Sequence, residues 1–172
     1  MKKTVVTLLC FFTVVSFNSC KKDKQEKVIG LKPIYTSVES IERIEIKTDE
    51  KLEVPGKIYV YKNYLLVNDQ GKGIHIYNNS NPSSPKHISF ISIPGNNDFS
   101  VRNNTIYADN ITDMVMIDIN QPSKPVYKNR IKSVFPTQIF PDQAGKFECV
   151  DASKGVVLKW EKAVLTGQTC SK

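Results

Sequence analysis

Ile58-Tyr59-Val60-Tyr61-Lys62-Asn63-Tyr64-Leu65-Leu66-Val67, then Asn68-Asp69-Gln70-Gly71, then Ile74-His75-Ile76-Tyr77, is the stretch that decides the fold of this chain. β-Branched and aromatic residues dominate the apolar runs, a Lys-Asn pair interrupts the first run, and Asn, Asp and Gly mark the next turn. A proline-bounded loop, Asn81-Pro82-Ser83-Ser84-Pro85, ends the unit. The pattern then returns. At an offset of 41 residues Val101 answers Val60, Asn104 answers Asn63, Ile106 answers Leu65 and Ala108 answers Val67, while Val115 and Ile117 answer Ile74 and Ile76. Pro122 and Pro125 answer Pro82 and Pro85 at an offset of 40, so the second copy lacks one residue.

A period near 40 residues built from short strands suits the blade of a β-propeller, with about four strands per blade. The strands are expected at about 57–61, 64–68, 73–77 and 86–92 in the first copy, and at about 98–102, 105–109, 114–119 and 126–132 in the second. Asn63 and Asn103-Asn104 fit tight turns, because asparagine tolerates left-handed backbone. The proline loops fit positions where a missing amide donor does no harm. A generic β-meander with accidental self-similarity is the competing architecture. Ahead of the repeats, Thr36-Ser37-Val38-Glu39 has the pattern of a capping box, with Val38 and Ile41 on one helical face. Ile44-Glu45-Ile46-Lys47 alternates as a strand.

The N-terminus carries an address. Lys2-Lys3 precedes the uncharged, mostly apolar Thr4–Phe17, and small Ser19 precedes Cys20, the pattern of a secretory signal cleaved to leave an N-terminal cysteine for lipid. The apolar run is shorter than the roughly 20 residues of a comfortable membrane span. Acyl chains on Cys20 are therefore the expected membrane anchor. The formal charge is +7, much of it in Lys21, Lys22, Lys24 and Lys27. These suit either an anionic lipid surface or a solvated linker. No basic patch on the folded part supports a nucleic-acid partner. Cys10 leaves with the signal, so Cys149 and Cys170 remain as two thiols in an oxidising compartment. They either pair, closing a loop of about 20 residues worth roughly 3 kcal/mol, or stay unpaired with one buried.

The two copies resemble the LVIVD repeat, a propeller-type repeat. Met114-Val115-Met116-Ile117-Asp118, running into Ile119-Asn120-Gln121-Pro122-Ser123-Lys124-Pro125, carries the closest likeness, while Gly73-Ile74-His75-Ile76-Tyr77 has tyrosine where that motif has aspartate. The resemblance implies that Asp118 caps the turn into the proline loop. Residues from about 31 to 170 resemble the N-terminal half of LVIVD-repeat lipoproteins of Bacteroidetes-type bacteria. Pro33-Ile34-Tyr35, Pro55-Gly56-Lys57, Ile93-Pro94-Gly95-Asn96 and Phe147-Glu148-Cys149-Val150-Asp151 add to this likeness. It implies an envelope lipoprotein, without an established activity. Lys21 after Cys20 is unlike the aspartate that retains lipoproteins in the inner membrane, which favours the outer membrane.

The expected architecture is mainly β: two propeller-type antiparallel blades (LVIVD repeats) plus a C-terminal hairpin, an incomplete propeller. The chain divides into a signal peptide at 1–19, a lipid-anchored tether at 20–32, a short helix and strand at 33–52, two blade-like repeats at 53–135, and a hairpin and tail at 136–172. That hairpin is expected to pair 147–151 with 155–161, with Trp160 packed inside and Cys149–Cys170 pinning the tail. Two blades cannot close a ring, so an oligomer or a partner that completes it is expected, or else a truncated product of a longer propeller lipoprotein.

Chemistry is sparse. His75 alternates with Ile74 and Ile76 and reads as a strand-face side chain. With neither a second imidazole nor a carboxylate cluster at a defined spacing, neither a metal nor another cofactor is expected. No nucleophile elbow or phosphate-binding glycine loop occurs. Glu148 and Asp151 are close in sequence but on opposite strand faces, so they do not form a catalytic pair. Tyr59, Tyr61, Tyr64, Tyr77 and Tyr107 suit either contacts to a protein or glycan ligand or packing between blades. The expected function is thus a non-catalytic binding or scaffolding module of the cell envelope, with part of an enzyme as a weaker alternative.

Overall fold

A computed structural model describes residues 27–167 and 169–172 of the chain. The signal segment 1–19 and Cys20 lie outside the described residues. In chain order the elements begin with β1 (Val28–Thr36), α1 (Val38–Glu42) and β2 (Glu45–Lys47). The first repeat supplies β3 (Pro55–Tyr61), β4 (Tyr64–Asp69), β5 (Gly73–Asn78) and β6 (Lys86–Ser92). The second supplies β7 (Phe99–Arg102), β8 (Thr105–Asn110), β9 (Asp113–Asp118) and β10 (Val126–Ile131). β11 (Lys146–Glu148), β12 (Val156–Leu165) and β13 (Thr169–Ser171) complete the chain. Among the described residues the fold is mainly β, with 52% strand and 6% helix, in several sheets of which none closes on itself.

Each repeat is an antiparallel meander, β6-β5-β4-β3 and β10-β9-β8-β7, and β2 adds a fifth strand outside β6. Strand ends fall within two residues of the expected ones, the usual latitude of such boundaries. The β7–β8 turn takes left-handed backbone at Asn103 and Asn104, with φ 50° and 58°, as a two-residue hairpin requires. In the first copy Lys62 takes the left-handed conformation, φ 54°, in place of the expected Asn63.

Strand register corrects the alignment of the copies. Val67 lies opposite His75, and its counterpart Ala108 lies opposite Val115. His75 therefore matches Val115, and Tyr77 matches Ile117. The missing residue sits in the turn between the second and third strands, ahead of Ile74 and Ile76. A slip of one residue exchanges the faces of a strand, so Ile74 and Ile76 match Met114 and Met116.

With that register each blade has two equivalent faces. The leading face carries Ile58, Val60, Leu65, Val67, His75 and Tyr77 in the first blade, and Phe99, Val101, Ile106, Ala108, Val115 and Ile117 in the second. The trailing face of the first blade carries Tyr59, Leu66, Ile74, Ile76 and Ile91. The second blade's leading face packs on the first blade's trailing face. Leu66, Ile74, Ile76, Ile91, Ile106, Val115 and Ile117 are all wholly buried there. Burying each such side chain contributes about 1.5–3 kcal/mol. Polar bonds border this core. Lys57 Nζ donates to Asp98 Oδ1 at 2.8 Å and to the Phe99 carbonyl at 2.7 Å, Tyr61 Oη to Asn104 Oδ1 at 2.9 Å, and Ser89 Oγ to the Pro122 carbonyl at 2.6 Å.

The helix α1 is one short turn capped by Ser37, whose side chain accepts from the Ser40 N–H at 3.2 Å. The cap lies one residue after the Thr36 expected from the capping-box pattern. Ile41 is buried while Val38 stays exposed, so the two do not share a buried face. Arg130 on β10 holds this turn. Its guanidinium donates to Asp113 Oδ2 at 2.9 Å and to Asn110, and reaches the carbonyls of Ile41 and Glu42 at 3.5 Å.

The third sheet replaces two expectations. Residues 28–32, assigned to a tether, begin β1, which runs between β12 and β11 in the order β12-β1-β11-β13. β12 lies antiparallel to β1, from Val28 opposite Leu165 to Thr36 opposite Val156, and β11 lies parallel to it through Leu31 and Phe147. The expected hairpin between 147–151 and 155–161 does not form, because β1 occupies the place between those segments. Asp151 instead caps a 3-10 turn over Ala152–Lys154, accepting the Ser153 N–H at 3.0 Å. Trp160 still meets Phe147, edge to face at 5.5 Å. Cys149 and Cys170 are joined by a disulfide beside the β11–β13 pair.

Candidate functional site

On the leading face of the first blade, Val67, His75 and Phe90 are buried, as are Ala108 and Val115 in the second, and the two repeats part in environment at the outer strand β3. Ile58 and Val60 are 63% and 59% exposed, whereas Phe99, in the place of Ile58 one repeat on, is 3% exposed. Two strand-face residues of high β propensity thus stand in water where the fold's own repeat buries Phe99 and half-buries Val101. Leu65 and Tyr77 continue the face, half-buried.

Beneath them lies a polar cluster on β4, β5 and β6. His75 Nδ1 and His87 Nε2 are 3.1 Å apart, one donating and the other accepting. The register of β5 with β6 shifts between Ile76 and Tyr77, which brings His87 opposite Tyr77 and within reach of His75. Phe90 packs at 4.4 Å from the His75 ring, and Tyr77 stacks at 6.2 Å. Asp69 Oδ2 is 3.7 Å from His75 Nε2, too long for a hydrogen bond, and both side chains are fully buried. The Asp69 carboxylate is occupied elsewhere, accepting the N–H groups of Glu53 at 3.1 Å and Val54 at 2.8 Å. It thereby holds the loop that enters β3. Its repeat equivalent Asn110 holds the corresponding loop by donating to the Pro94 carbonyl at 2.6 Å.

Burial lowers the His75 pKa from its ordinary value, the neighbouring His87 lowers it further, and Asp69 opposes them. His75 is therefore a neutral imidazole in this setting. Burial likewise raises the Tyr77 pKa. The second imidazole that His75 lacks in sequence is supplied by the sheet, yet the pair is directly hydrogen-bonded. Among the described residues no group of three or more His, Cys, Asp or Glu is placed to hold a metal ion. The signal that could have found this pair was the antiparallel hairpin of 73–77 with 86–92, which puts His87 near Tyr77.

The other sequence-selected residues separate. Glu148 lies 4.0 Å from Lys32 and Asp151 caps its own turn, so the two carboxylates do not converge. Hydrogen bonds from Ser153 hold the Asp151 carboxyl below the usual range. Asp118 accepts the Asn120 N–H at 2.7 Å, the turn-capping role that the resemblance implies. Tyr59 meets Phe99 edge-on at 6.3 Å and Tyr61 bonds Asn104, so these tyrosines join the blades. Tyr77, half-buried, packs on His75 and His87, and Tyr107, half-buried, lies on the second blade's trailing face.

A second concavity of about 580 Å³ opens where the third sheet meets the turns of the first blade, between Leu31, Leu158 and Trp160 on one side and Val54, Gln70 and Lys72 on the other. The Trp160 indole N–H is buried beside it without a protein partner. Neither this groove nor the histidine face brings a nucleophile, a base and an oxyanion donor onto one point.

No curated protein and no solved structure matches the chain. The model of the LVIVD repeat matches residues 56–90 and 97–132, so the two blades are tandem LVIVD repeats.

Proposed function

We propose that the protein is a non-catalytic binding or scaffolding module of the cell envelope, lipid-anchored through Cys20. The observation that carries the binding role is the outer strand β3 of the first blade: Ile58 and Val60 stand exposed where the second repeat buries Phe99 and half-buries Val101. Ile58 and Val60 share one face of the strand, and contiguous exposed apolar surface is what a docking partner covers.

The anchor rests on sequence. Lys2-Lys3, the apolar Thr4–Phe17 and Ser19-Cys20 make a lipoprotein signal, and no helix among the described residues is long and apolar enough to cross a membrane. The resemblance to lipoproteins of Bacteroidetes-type bacteria, and Lys21 after Cys20, support the outer membrane as the address. The test has two parts. Mass spectrometry of the protein from membranes is expected to find an acylated N-terminal Cys20; an unmodified N-terminus refutes the anchor. A photo-crosslinking residue at Val60, in living cells, is expected to give one discrete adduct, and a crosslinker that finds only water refutes the binding face.

A further inference from the structure

The third sheet ends in an open apolar tip, and that tip is the part of the fold closest in sequence to Cys20. Ile29 is 79% exposed, more than any other large hydrophobic among the described residues. Val164, directly opposite it across the β1–β12 pair, is 57% exposed. Cross-strand partners share a face of the sheet, so the two side chains make one patch, with Lys162 next to Val164 on that face. The sheet meets the blades elsewhere, where Leu158 lies beside Gly95 and Ile111. Val164 is six residues farther along β12, about 20 Å at the rise of a strand, so the tip lies clear of that contact.

We propose that this end of the third sheet docks on the lipid surface of the membrane that holds Cys20, so that the anchor fixes an orientation as well as a location. This rests on the reading of Cys20 as the lipid site and adds a second membrane contact to it.

Chain length brings the two surfaces together. Ile29 is nine residues on from Cys20, and nine residues reach at most about 32 Å. A link this short gives an effective concentration in roughly the millimolar range, so a patch too weak to bind from solution stays docked. Charge favours lipid as the occupant. Lys27, Lys146 and Lys162 are exposed at this end of the sheet, Lys146 lying next to Gly30 across the β1–β11 pair. None of the three has an ion-pair partner among the described residues, whereas Lys32 and Lys159 are paired with Glu148 and Glu161. Lys172 follows β13 at the same end, its ammonium 4.6 Å from the ring of Phe140, itself 44% exposed. Asp142 is an opposing charge nearby, engaged by Gln138 at 3.4 Å. Lysine is depleted at protein interfaces. An anionic bilayer takes both features at once, apolar tips at the headgroup boundary and ammonium groups against phosphates.

The test uses the full chain from membranes, reconstituted in vesicles of phosphatidylethanolamine with phosphatidylglycerol. Val164→Cys carries an environment-sensitive fluorophore; Cys149 and Cys170 are joined, and an acylated Cys20 has no free thiol. Val164 is exposed, so the label leaves the fold intact, and Val126→Cys on β10, 51% exposed, is the control. Nitroxide-bearing lipids are expected to quench the label at 164 and to spare the label at 126. Lys146→Gln with Lys162→Gln should lower the docked-to-free ratio by about fivefold for each lysine lost near an anionic surface. A label at 164 that stays in water, or one quenched no more than the label at 126, overturns the proposal, and so does quenching indifferent to the two lysines. A photo-crosslinking residue at Ile29, in living cells, should give lipid adducts; a discrete protein adduct there overturns the lipid surface in favour of a protein one. Mass spectrometry of the N-terminus separates the two readings. Acylated Cys20 with the label at 164 in water sinks this inference and leaves the anchor standing. Unmodified Cys20 with the label at 164 in lipid sinks the anchor and leaves the docking surface.

Discussion

Truncating Phe99 and truncating Ile58 should differ sharply in effect, although the two residues hold the same place in successive repeats. Phe99 is 3% exposed, packed in the joint between the blades, and its ring meets Tyr59 at 6.3 Å edge to face. Phe→Ala at such a site costs about 3–5 kcal/mol, of which the aromatic pair supplies roughly 0.5–1.5 kcal/mol. Ile58 is 63% exposed. Roughly a third of its side chain leaves water on folding, so Ile58→Ala costs about 1 kcal/mol or less. The gap between the variants is thus about 2–4 kcal/mol, against a total stability of roughly 5–15 kcal/mol for a domain. With a urea slope of about 1–3 kcal/mol per molar, Phe99→Ala should lower the midpoint by about 1–5 M and Ile58→Ala, at the same slope, by about a quarter of that or less. The assay is urea unfolding followed by far-ultraviolet circular dichroism, at a concentration dilute enough that chains do not associate. The lone tryptophan, Trp160, sits in the third sheet, so its fluorescence reports that sheet separately from the blades. Equal midpoint shifts for the two variants would refute the assignment of Phe99 as buried and Ile58 as exposed.

Three further outcomes follow from the same geometry. Because burial holds the folded His75 pKa below its unfolded value of about 6.5, the unfolded chain takes up a proton that the folded chain refuses. Stability should therefore fall as pH drops below about 6.5, by up to ~1.4 kcal/mol per pH unit; His75→Gln should flatten that slope in denaturation curves recorded between pH 7 and pH 5, and an unchanged slope counts against a neutral buried His75. Reducing the Cys149–Cys170 bond, which spans 21 residues, should remove about 3 kcal/mol, read as a lower melting temperature on adding reductant and absent in a Cys149→Ser/Cys170→Ser pair. Arg130→Met should cost about 3–5 kcal/mol, because its side chain is 7% exposed and its loss leaves Asp113 without its cation, and hydrogen exchange should show α1 loosening first.

The blades were legible because their signal is local. Turn residues and alternating apolar runs recur at a fixed spacing, and the eight strands follow. The face assignment within β5 was not legible for a definite reason. Gly73, Ile74, His75 and Ile76 are all buried, so this strand is covered on both sides and loses the alternation that would fix its register. Aligning Ile74 and Ile76 with Val115 and Ile117 by hydrophobicity alone then placed them on the wrong face. The third sheet was hidden differently. β1 finds its partners more than a hundred residues away and pairs with one in parallel, whereas a hairpin between neighbouring segments is what local reasoning supplies. The histidine pair needed both the β5–β6 hairpin and the register shift inside it, and no residue in either strand announces that shift.

The divergence of the two repeats is what lets the joint between them form. Had the copies stayed identical at the position of Lys57, two lysines would meet at the joint between blades, and like charges in contact destabilise such a junction. The chain instead carries Lys57 in the first copy and Asp98 in the second, joined at 2.8 Å, with the Asp98 carboxyl held below its usual range by that contact. Lys57 alternates with Ile58 and Val60 and reaches toward the second blade, so the pair is spent on the joint inside the chain. Lys57→Glu sets two acids against each other there and should lower the urea midpoint, as Asp98→Lys should with two bases, each by a small amount because both side chains are partly exposed. The double reversal Lys57→Asp with Asp98→Lys should recover it, because the order of charges is exchanged while their complementarity is kept. Recovery of the midpoint in the double variant, after loss in each single one, is the result that separates a charge-matched joint from general hydrophobic packing.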